Sequence, residues 1–360
     1  MLQLRSISLV HFRNYTGRKF EFAERITGVC GMNGTGKTNF LDAIYYTSFT
    51  KSYFSRPDQL SVHHGLQGMR IEGHYLVGEE PYEVVCILRE NNRKEFMVND
   101  EAYQRLSEHI GRFPCVMIAP DDIALVSGGS EERRRFIDTL LSQCVPGYLS
   151  WLIAYTRLLQ QRNGFLKNAA QNQYADHTLL DTLDEQLAEK GALLFEARNT
   201  FLETFIPLVK ECYRYIAGKD DALGISYESG LLNAGMMELL RAGRQRDLLT
   251  QRTGAGIHRD ELELGMGDQP FKTLASQGQR KSLLFALKLA EFETLRQQKG
   301  FSPLLLLDDV FEKLDAGRMR NLLHKVCVEE QGQVFITDTH ADRLSRQLDQ
   351  TGVPYALIEL

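Results

Sequence analysis

Nothing in this chain is built for a bilayer or an oxidising compartment. No run of about 20 apolar residues occurs, so a helical membrane span is excluded. The start, Met1-Leu2-Gln3-Leu4-Arg5, lacks the apolar core of a secretory signal. The six cysteines are scattered, with no C-x-x-C pair, and most (Cys30, Cys86, Cys115) sit in apolar surroundings. Zinc and disulfide readings are therefore poor, and buried reduced thiols in a cytoplasmic protein are expected. There is no internal repeat and no low-complexity tail. Excess positive charge is also lacking: the formal net charge is −5. Bulk charge does not favour nucleic acid as a partner, though a local basic face offset by acid elsewhere remains compatible with one. What is present is an ordinary globular composition, 43% hydrophobic and 25% charged over 360 residues, enough for a full core and two lobes.

One short run carries more chemistry than the rest. Gly31-Met32-Asn33-Gly34-Thr35-Gly36-Lys37-Thr38 fits the pattern G-x-x-x-x-G-K-[ST] at every fixed position. Its glycines let backbone N–H groups turn inward with no Cβ in the way. Lys37 can reach the β- and γ-phosphates of a nucleoside triphosphate, and the Thr38 hydroxyl can ligate Mg²⁺. Residues 25–30 predict a short strand before the loop. Phe40, Leu41, Ile44 and Tyr45 stand at helical spacing after it. Strand, glycine loop and helix is the context this motif requires; an ordinary glycine turn is the alternative. The helix N-terminus adds about half a positive charge at the phosphates.

Strand patterns open the chain at residues 2–4 and 7–10 and recur at 69–77, 82–88 and 95–98, where Asn99-Asp100 marks a turn. Together they predict an antiparallel meander. Residues 115–119 read as an apolar strand ending at Pro120. From about 131 to 217 the pattern is helical, with Leu149, Leu152, Ile153 and Thr156 on one face. Leu179, Leu183, Leu187, Leu194, Arg198, Phe201, Phe205 and Leu208 keep roughly the same period. Pro207 is expected to kink or interrupt that run, and Gly218 to stop it. Strand signals return at 262–264, a helix at about 278–297, buried strands at 304–307 and 334–337, and a strand-like end at 355–360. That alternation suits a parallel sheet. An α/β fold follows, with residues 1–130 and 251–360 forming one lobe and 131–250 inserted as a mainly helical second lobe.

Leu304-Leu305-Leu306-Leu307 followed by Asp308-Asp309 has the form of a central strand ending in acid. A carboxylate there can hold Mg²⁺, and a second can polarise water. Asp308 is assigned to the metal, with Thr38, and Asp309 to general base or water positioning; Lys37, Asp308 and Asp309 form the catalytic set. A solvated Asp-Asp turn is the plain alternative. Ser276-Gln277-Gly278-Gln279 precedes a helix carrying Leu283, Leu284, Leu287 and Leu289. Alone it reads as an ordinary N-cap.

The order phosphate loop, helical insertion, S-x-G-Q, acidic strand and Leu314-Asp315 resembles the heads of ATP-binding cassette proteins of the SMC type. Phe12-Arg13-Asn14-Tyr15, Ala119-Pro120-Asp121-Asp122, residues 132–138 (E-R-R-R-F-I-D), His258-Arg259-Asp260-Glu261-Leu262, residues 276–282 (S-Q-G-Q-R-K-S) and residues 307–311 (L-D-D-V-F), with the phosphate loop, resemble the RecF family of bacterial recombination mediators. The resemblance runs from the first strand to about Thr339. It implies an ABC-type ATPase head, a P-loop sheet plus antiparallel meander, with an inserted helical lobe. It implies a weak ATPase using ATP and Mg²⁺ that dimerises on ATP. Ser276, Gly278 and Gln279 then face the γ-phosphate held by the other subunit, where helix N-terminal donors supply the contacts missing from one side. The nucleotide contacts expected are Gly31, Met32, Asn33, Gly34, Thr35, Gly36, Lys37, Thr38, Arg13, Ser276, Gly278 and Gln279. The implied partners are double-stranded DNA at gaps or junctions, RecO and RecR in the loading of RecA, and no membrane.

Two departures stand out. Lys313 puts a positive charge where the family usually shows an acid before Leu-Asp, though Asp315 is retained, and Lys51-Ser52-Tyr53-Phe54-Ser55-Arg56 differs slightly from the family's run. Other residues have two readings. Arg13 can reach an α-phosphate or be a solvated turn arginine. Residues 120–122 stand where related heads carry a sensing glutamine, and a linker role suits them as well. His340 is either a γ-phosphate histidine or an exposed loop residue; His258 is expected to be structural. Arg133-Arg134-Arg135 is either a DNA contact or a helix face. Arg157, Arg162, Lys167, Arg241, Arg244, Arg246 and Arg252 can form a basic surface for backbone contacts, although no aromatics interleave with them. The rival function is a nucleotide-gated scaffold that recruits partners without clamping DNA.

Overall fold

The computed structural model describes residues 1–360 except Arg56, Gln173, Ala175 and 312–314. The departure at Lys313 and the end of the 51–56 segment thus lie outside the described residues. The chain forms two compact units. One comprises Met1–Ile123, Glu211–Asp220 and Ser276–Leu360; the other comprises Ala124–Lys210 and Asp221–Ala275.

In the first unit, β1 (Leu2–Phe12) buries Leu2, Leu4, Ile7, Leu9 and Phe12, its alternation changing phase at an irregularity between Leu4 and Ser6. It turns into β2 (Tyr15–Glu21). β3 (Ile26–Cys30), buried throughout, belongs to a second sheet and runs into the glycine loop and α1 (Lys37–Phe49). β4 (Met69–Val77), β5 (Glu80–Leu88), β6 (Lys94–Val98) and β7 (Glu101–Ala102) complete the antiparallel meander in the order β2-β1-β4-β5-β6-β7. Asn99 and Asp100 both have positive φ, 50° and 63°, as a two-residue hairpin turn requires. β8 (Cys115–Ile118) closes this stretch.

The second unit holds α2 (Ala124–Ser127), α3 (Ser130–Cys144), α4 (Tyr148–Asn172) and α5 (His177–Ala217), whose last residues belong to the first unit. β9 (Leu223–Glu228), α6 (Met236–Thr250), β10 (Glu261–Met266), β11 (Gln269–Pro270) and α7 (Phe271–Leu274) follow. Pro207 lies inside α5 and does not interrupt it. Phe205 and Val209 are buried on either side, and packing of that face offsets the lost hydrogen bond. Gly218, at φ 69°, ends the helix as expected, its N–H donating to Arg214 O. The inserted unit is wider than residues 131–250 because β10 pairs with β9 in a small antiparallel sheet, β11-β10-β9. Residues 262–264 thus belong to the insertion, and an alternating pattern cannot say which sheet a strand joins.

The chain returns with α8 (Gln277–Lys299), β12 (Leu304–Leu307), α9 (Ala316–Leu323), β13 (Val334–Asp338), α10 (Ala341–Asp349) and β14 (Tyr355–Glu359). These complete a fully parallel sheet of order β14-β3-β13-β12-β8. Every residue of β3, β8, β12 and β13 is buried, as strands covered on both faces should be. All six cysteines are free thiols. Among the described residues no helix is long and apolar enough to cross a membrane.

Candidate nucleotide-binding site

The glycine loop follows the C-terminal end of β3, and Asp308 follows that of β12, with β13 between them. This is the sheet edge at which open α/β folds place ligands. Gly34 and Gly36 have φ of 86° and 111°. A Cβ on Gly36 would lie 2.5 Å from the Asn14 side chain and 2.9 Å from Tyr15 Oη, so only glycine fits there. The β1–β2 hairpin thus braces the loop. Asn14 donates to Thr35 O at 2.9 Å and accepts from Asn39 at 2.8 Å, and Tyr15 Oη donates to Gly36 O at 3.1 Å. Met32, Asn33 and Gly34 at the tip are exposed.

Lys37 is buried and folded across the loop, its Nζ donating to Gly31 O at 2.7 Å and Met32 O at 3.0 Å. Thr38 Oγ1 donates to Asp308 Oδ2 at 2.9 Å. Thr337 of β13 ties the acidic pair together: its hydroxyl donates to Asp308 Oδ1 at 2.8 Å and accepts from Asp309 N at 3.0 Å. Burial pushes the Asp308 carboxyl up, against the two threonine hydroxyls and Lys37, which pull it down. Asp309 takes a left-handed backbone, φ 48°, and its Oδ1 is buried with no hydrogen-bond partner among the described residues. Thr38, Asp308 and Asp309 offer only oxygen atoms, the donor set of a hard cation such as Mg²⁺, and the unpartnered Asp309 oxygen is one a bound water or cation would satisfy.

Ser276 and Gln279 form a reciprocal capping box at the start of α8: Ser276 Oγ accepts from Gln279 N at 3.2 Å, and Gln279 Oε1 accepts from Ser276 N at 2.9 Å. Ser276 and Gln277 are exposed, while Gly278 packs so closely on α9 that a Cβ would lie 2.1 Å from Arg318 Nη1. Asp315 caps α9 through Arg318 N.

Other expected residues are placed differently. The Arg13 guanidinium makes no hydrogen bond to the glycine loop; it donates to Leu60 O at 2.6 Å, Ser55 Oγ at 2.8 Å, Ser52 Oγ at 3.0 Å and Asp42 at 3.2 Å. Asp122 accepts from Ala119 N and from Tyr53 Oη. His340 is exposed, with its backbone N–H on Asp338. His258 is structural: Nδ1 lies 2.8 Å from Tyr155 Oη and Nε2 3.1 Å from Thr253 O, and burial pushes the ring down to about 4.

The arginine-rich run is not a free cationic face. Arg133 pairs with Glu261, Arg134 donates to Asp260 O, and Arg135 pairs with Glu131 and Glu132. Two arginines form clasps inside the inserted unit. Arg198 holds Asp138, Tyr148, Ile257 O and Asp260; Arg162, fully buried, holds Asp184, Asp247 and Thr253. Arg244 pairs with Asp181 and Asp184. Arg162 and Arg244 therefore leave the expected basic surface. Asn14 and Tyr15 belong to the Phe12–Tyr15 run noted in the sequence, but their bracing of the loop, like the part of Thr337, is set only by the fold.

A parallel sheet with a glycine loop on one strand, paired acids on another and a capped S-x-G-Q helix defines an ABC-type ATPase head of the SMC class. The model of the RecF/RecN/SMC N terminal domain family matches residues 3–354. Curated relatives named DNA replication and repair protein RecF include that of Bacteroides fragilis (strain YCH46), 39% identical over 99% of this chain and 96% of the relative. That of Flavobacterium johnsoniae is 38% identical and covered in full, as is this chain. The solved recombination mediator protein RecF-ATPrS in the RecFOR pathway superposes with a TM-score of 0.86 at 29% identity, covering 94% of this chain and 93% of that one. An Smc head domain from Pyrococcus furiosus shares the fold, with a TM-score of 0.56 at 13% identity over the whole of this chain and 93% of that one. This chain belongs to the RecF family of DNA replication and repair proteins.

Proposed function

We propose that this chain is an ATP-gated DNA-binding recombination mediator. It binds ATP and Mg²⁺, pairs with a second copy in that state, holds double-stranded DNA at gaps or junctions, and hydrolyses ATP slowly to let go. RecO and RecR are its partners in RecA loading, in the cytoplasm. The observation that carries this reading is the Thr38–Asp308–Thr337–Asp309 arrangement beside the glycine loop. Residues 31–38 cradle the phosphates, with Lys37 exchanging loop carbonyls for phosphate oxygens. Thr38 and Asp308 would hold Mg²⁺, which neutralises charge on the β- and γ-phosphates. Asp309 accepts a hydrogen bond from the attacking water. The start of α8, with Ser276 exposed and Gly278 and Gln279 following it, supports the second half of the mechanism. Its N–H groups and dipole suit the γ-phosphate held by another copy. Arg13 reaches a phosphate only by leaving Asp42.

Sedimentation of the full chain with and without ATP and Mg²⁺, repeated with gapped duplex, tests the reading. A monomer that becomes a dimer only with nucleotide, and retains DNA in that state, is the expected outcome. A monomer under all conditions would refute it.

A further inference from the structure

Between residues 239 and 262 the chain carries five arginines, at 241, 244, 246, 252 and 259, and three acids, Asp247, Asp260 and Glu261. These three acids are turned to internal partners, while Glu238 and Glu263, both exposed, flank the segment. Asp247 is buried on Arg162 and accepts from Gly254 N at 2.9 Å. Asp260 is buried on Arg198 and Tyr227, and Glu261 pairs with Arg133. Of the arginines, Arg244 is spent on α5, and Arg241 lies near Asp181. Arg246, Arg252 and Arg259 are exposed, with no ion pair among the described residues. In a chain of net charge −5, these three cations are turned to solvent, where an external anion can reach them.

Arg246 lies on α6, and one anchored loop after it carries Arg252 and Arg259. Thr253 N and Oγ1 both donate to Asn163 Oδ1 at 2.8 Å, Arg162 Nη1 donates to Thr253 Oγ1 at 2.9 Å, and Arg259 Nη2 donates to Thr253 O at 3.3 Å. Arg252 precedes Thr253, and Arg246 precedes the Asp247 that holds Gly254 N. A Cβ on Gly256, at φ 124°, would lie 2.5 Å from Met236 Cε and 2.6 Å from Tyr155 Oη, so the loop is seated tightly on its own unit. The buried Arg162 clasp therefore fixes where the three exposed arginines stand.

We propose that Arg246, in the last turns of α6, and Arg252 and Arg259, on the Thr253-anchored loop that follows, form a phosphate-backbone contact for duplex DNA on the inserted unit. The proposal rests on the reading of this chain as a DNA-binding mediator and assigns part of that contact to named residues. Duplex DNA presents one charge per about 1.7 Å of axis, a dense row of anions for exposed arginines. Guanidinium forks bind phosphate in two parallel hydrogen bonds. With no aromatic side chain in residues 239–259, the contact reads the backbone and not the bases.

Anisotropy titrations of labelled duplex against the full chain with ATP and Mg²⁺, over a range of salt, test it. The wild type is compared with R246A/R252A/R259A, with the triple lysine variant and with R241A. The triple alanine variant should weaken binding at least tenfold at about 0.1 M salt and reduce the log–log salt slope by about 2 to 3, near 0.9 per lost contact. The lysine variant should retain most of the slope and R241A all of it, with nucleotide-dependent sedimentation unchanged in each. Wild-type slope and affinity in the alanine variant overturn the assignment while the mediator reading stands. So does an equal loss in R241A. If the wild type itself binds no duplex with ATP, the mediator reading falls and takes this one with it.

Discussion

Lys37 holds the carbonyls of its own loop with a compact ammonium, and a longer, planar guanidinium would carry the same charge in a different place. Lys37→Arg should therefore keep nucleotide affinity within a few-fold and lower turnover on the order of 100-fold, the scale of losing one well-placed electrostatic contact. Phosphate release beside nucleotide titration checks this, and unchanged turnover would remove Lys37 from the catalytic set. His109 carries a pH prediction. The ring is fully buried, Nε2 lies 2.7 Å from Thr47 O, and burial, with Arg112 nearby, pushes it down to about 4. The folded state leaves this ring neutral while the unfolded chain protonates it near 6.5. Its contribution is therefore complete above about pH 6.5 and is lost as pH falls towards 4. The cost is about 2 kcal/mol between pH 7 and pH 5. Urea unfolding at both pH values should show a smaller acid loss in His109→Gln than in the wild type; equal losses would contradict it. Lys37, Thr38, Asp308 and Asp309 were legible from the chain because each stands at a fixed offset in a local motif. Thr337 was not: it lies in a buried strand, and its partners are 28 and 29 residues away.

The elements most exposed to test are the ends of helices. α8 begins at a capping box and ends at Gly300 in the left-handed region, so S-Q-G-Q and the glycine mark its bounds in the sequence. Its exposed start is where a second copy would press. Ser276→Arg should bind ATP as a monomer yet fail to sediment as a dimer with ATP and Mg²⁺; a dimer of wild-type affinity would exclude this surface. α5 shows the limit of local rules, since Pro207 lies inside a single 41-residue helix. Proline weakens a turn locally, but burial of Phe205 and Val209 decides whether the helix continues.

On the scale of the molecule, the inserted unit is held by charges in its interior. Arg198→Ala would leave Asp138 and Asp260 without their cation, and removing one partner of a buried pair costs about 3 to 5 kcal/mol. Urea denaturation of the full chain should show that loss. A shift below about 1 kcal/mol would mean that the carboxylates find other partners. The arginine-rich run, open in the sequence between a DNA contact and a helix face, is turned largely to internal partners, and His258 of the His-Arg-Asp segment is structural, as expected. A motif shows that charges are present, and only packing shows whether they meet solvent or each other.

The sequence alone determined the parallel-strand pattern, the glycine loop, the acidic pair and the capped helix, because each depends on neighbours within a few residues. Tertiary structure decided which sheet residues 262–264 join, that Asn14 braces the loop and that Thr337 couples the acids. It also decided which arginines stay uncompensated. Those outcomes depend on groups far apart in the chain, and burial and ion pairing assign partners by proximity in space.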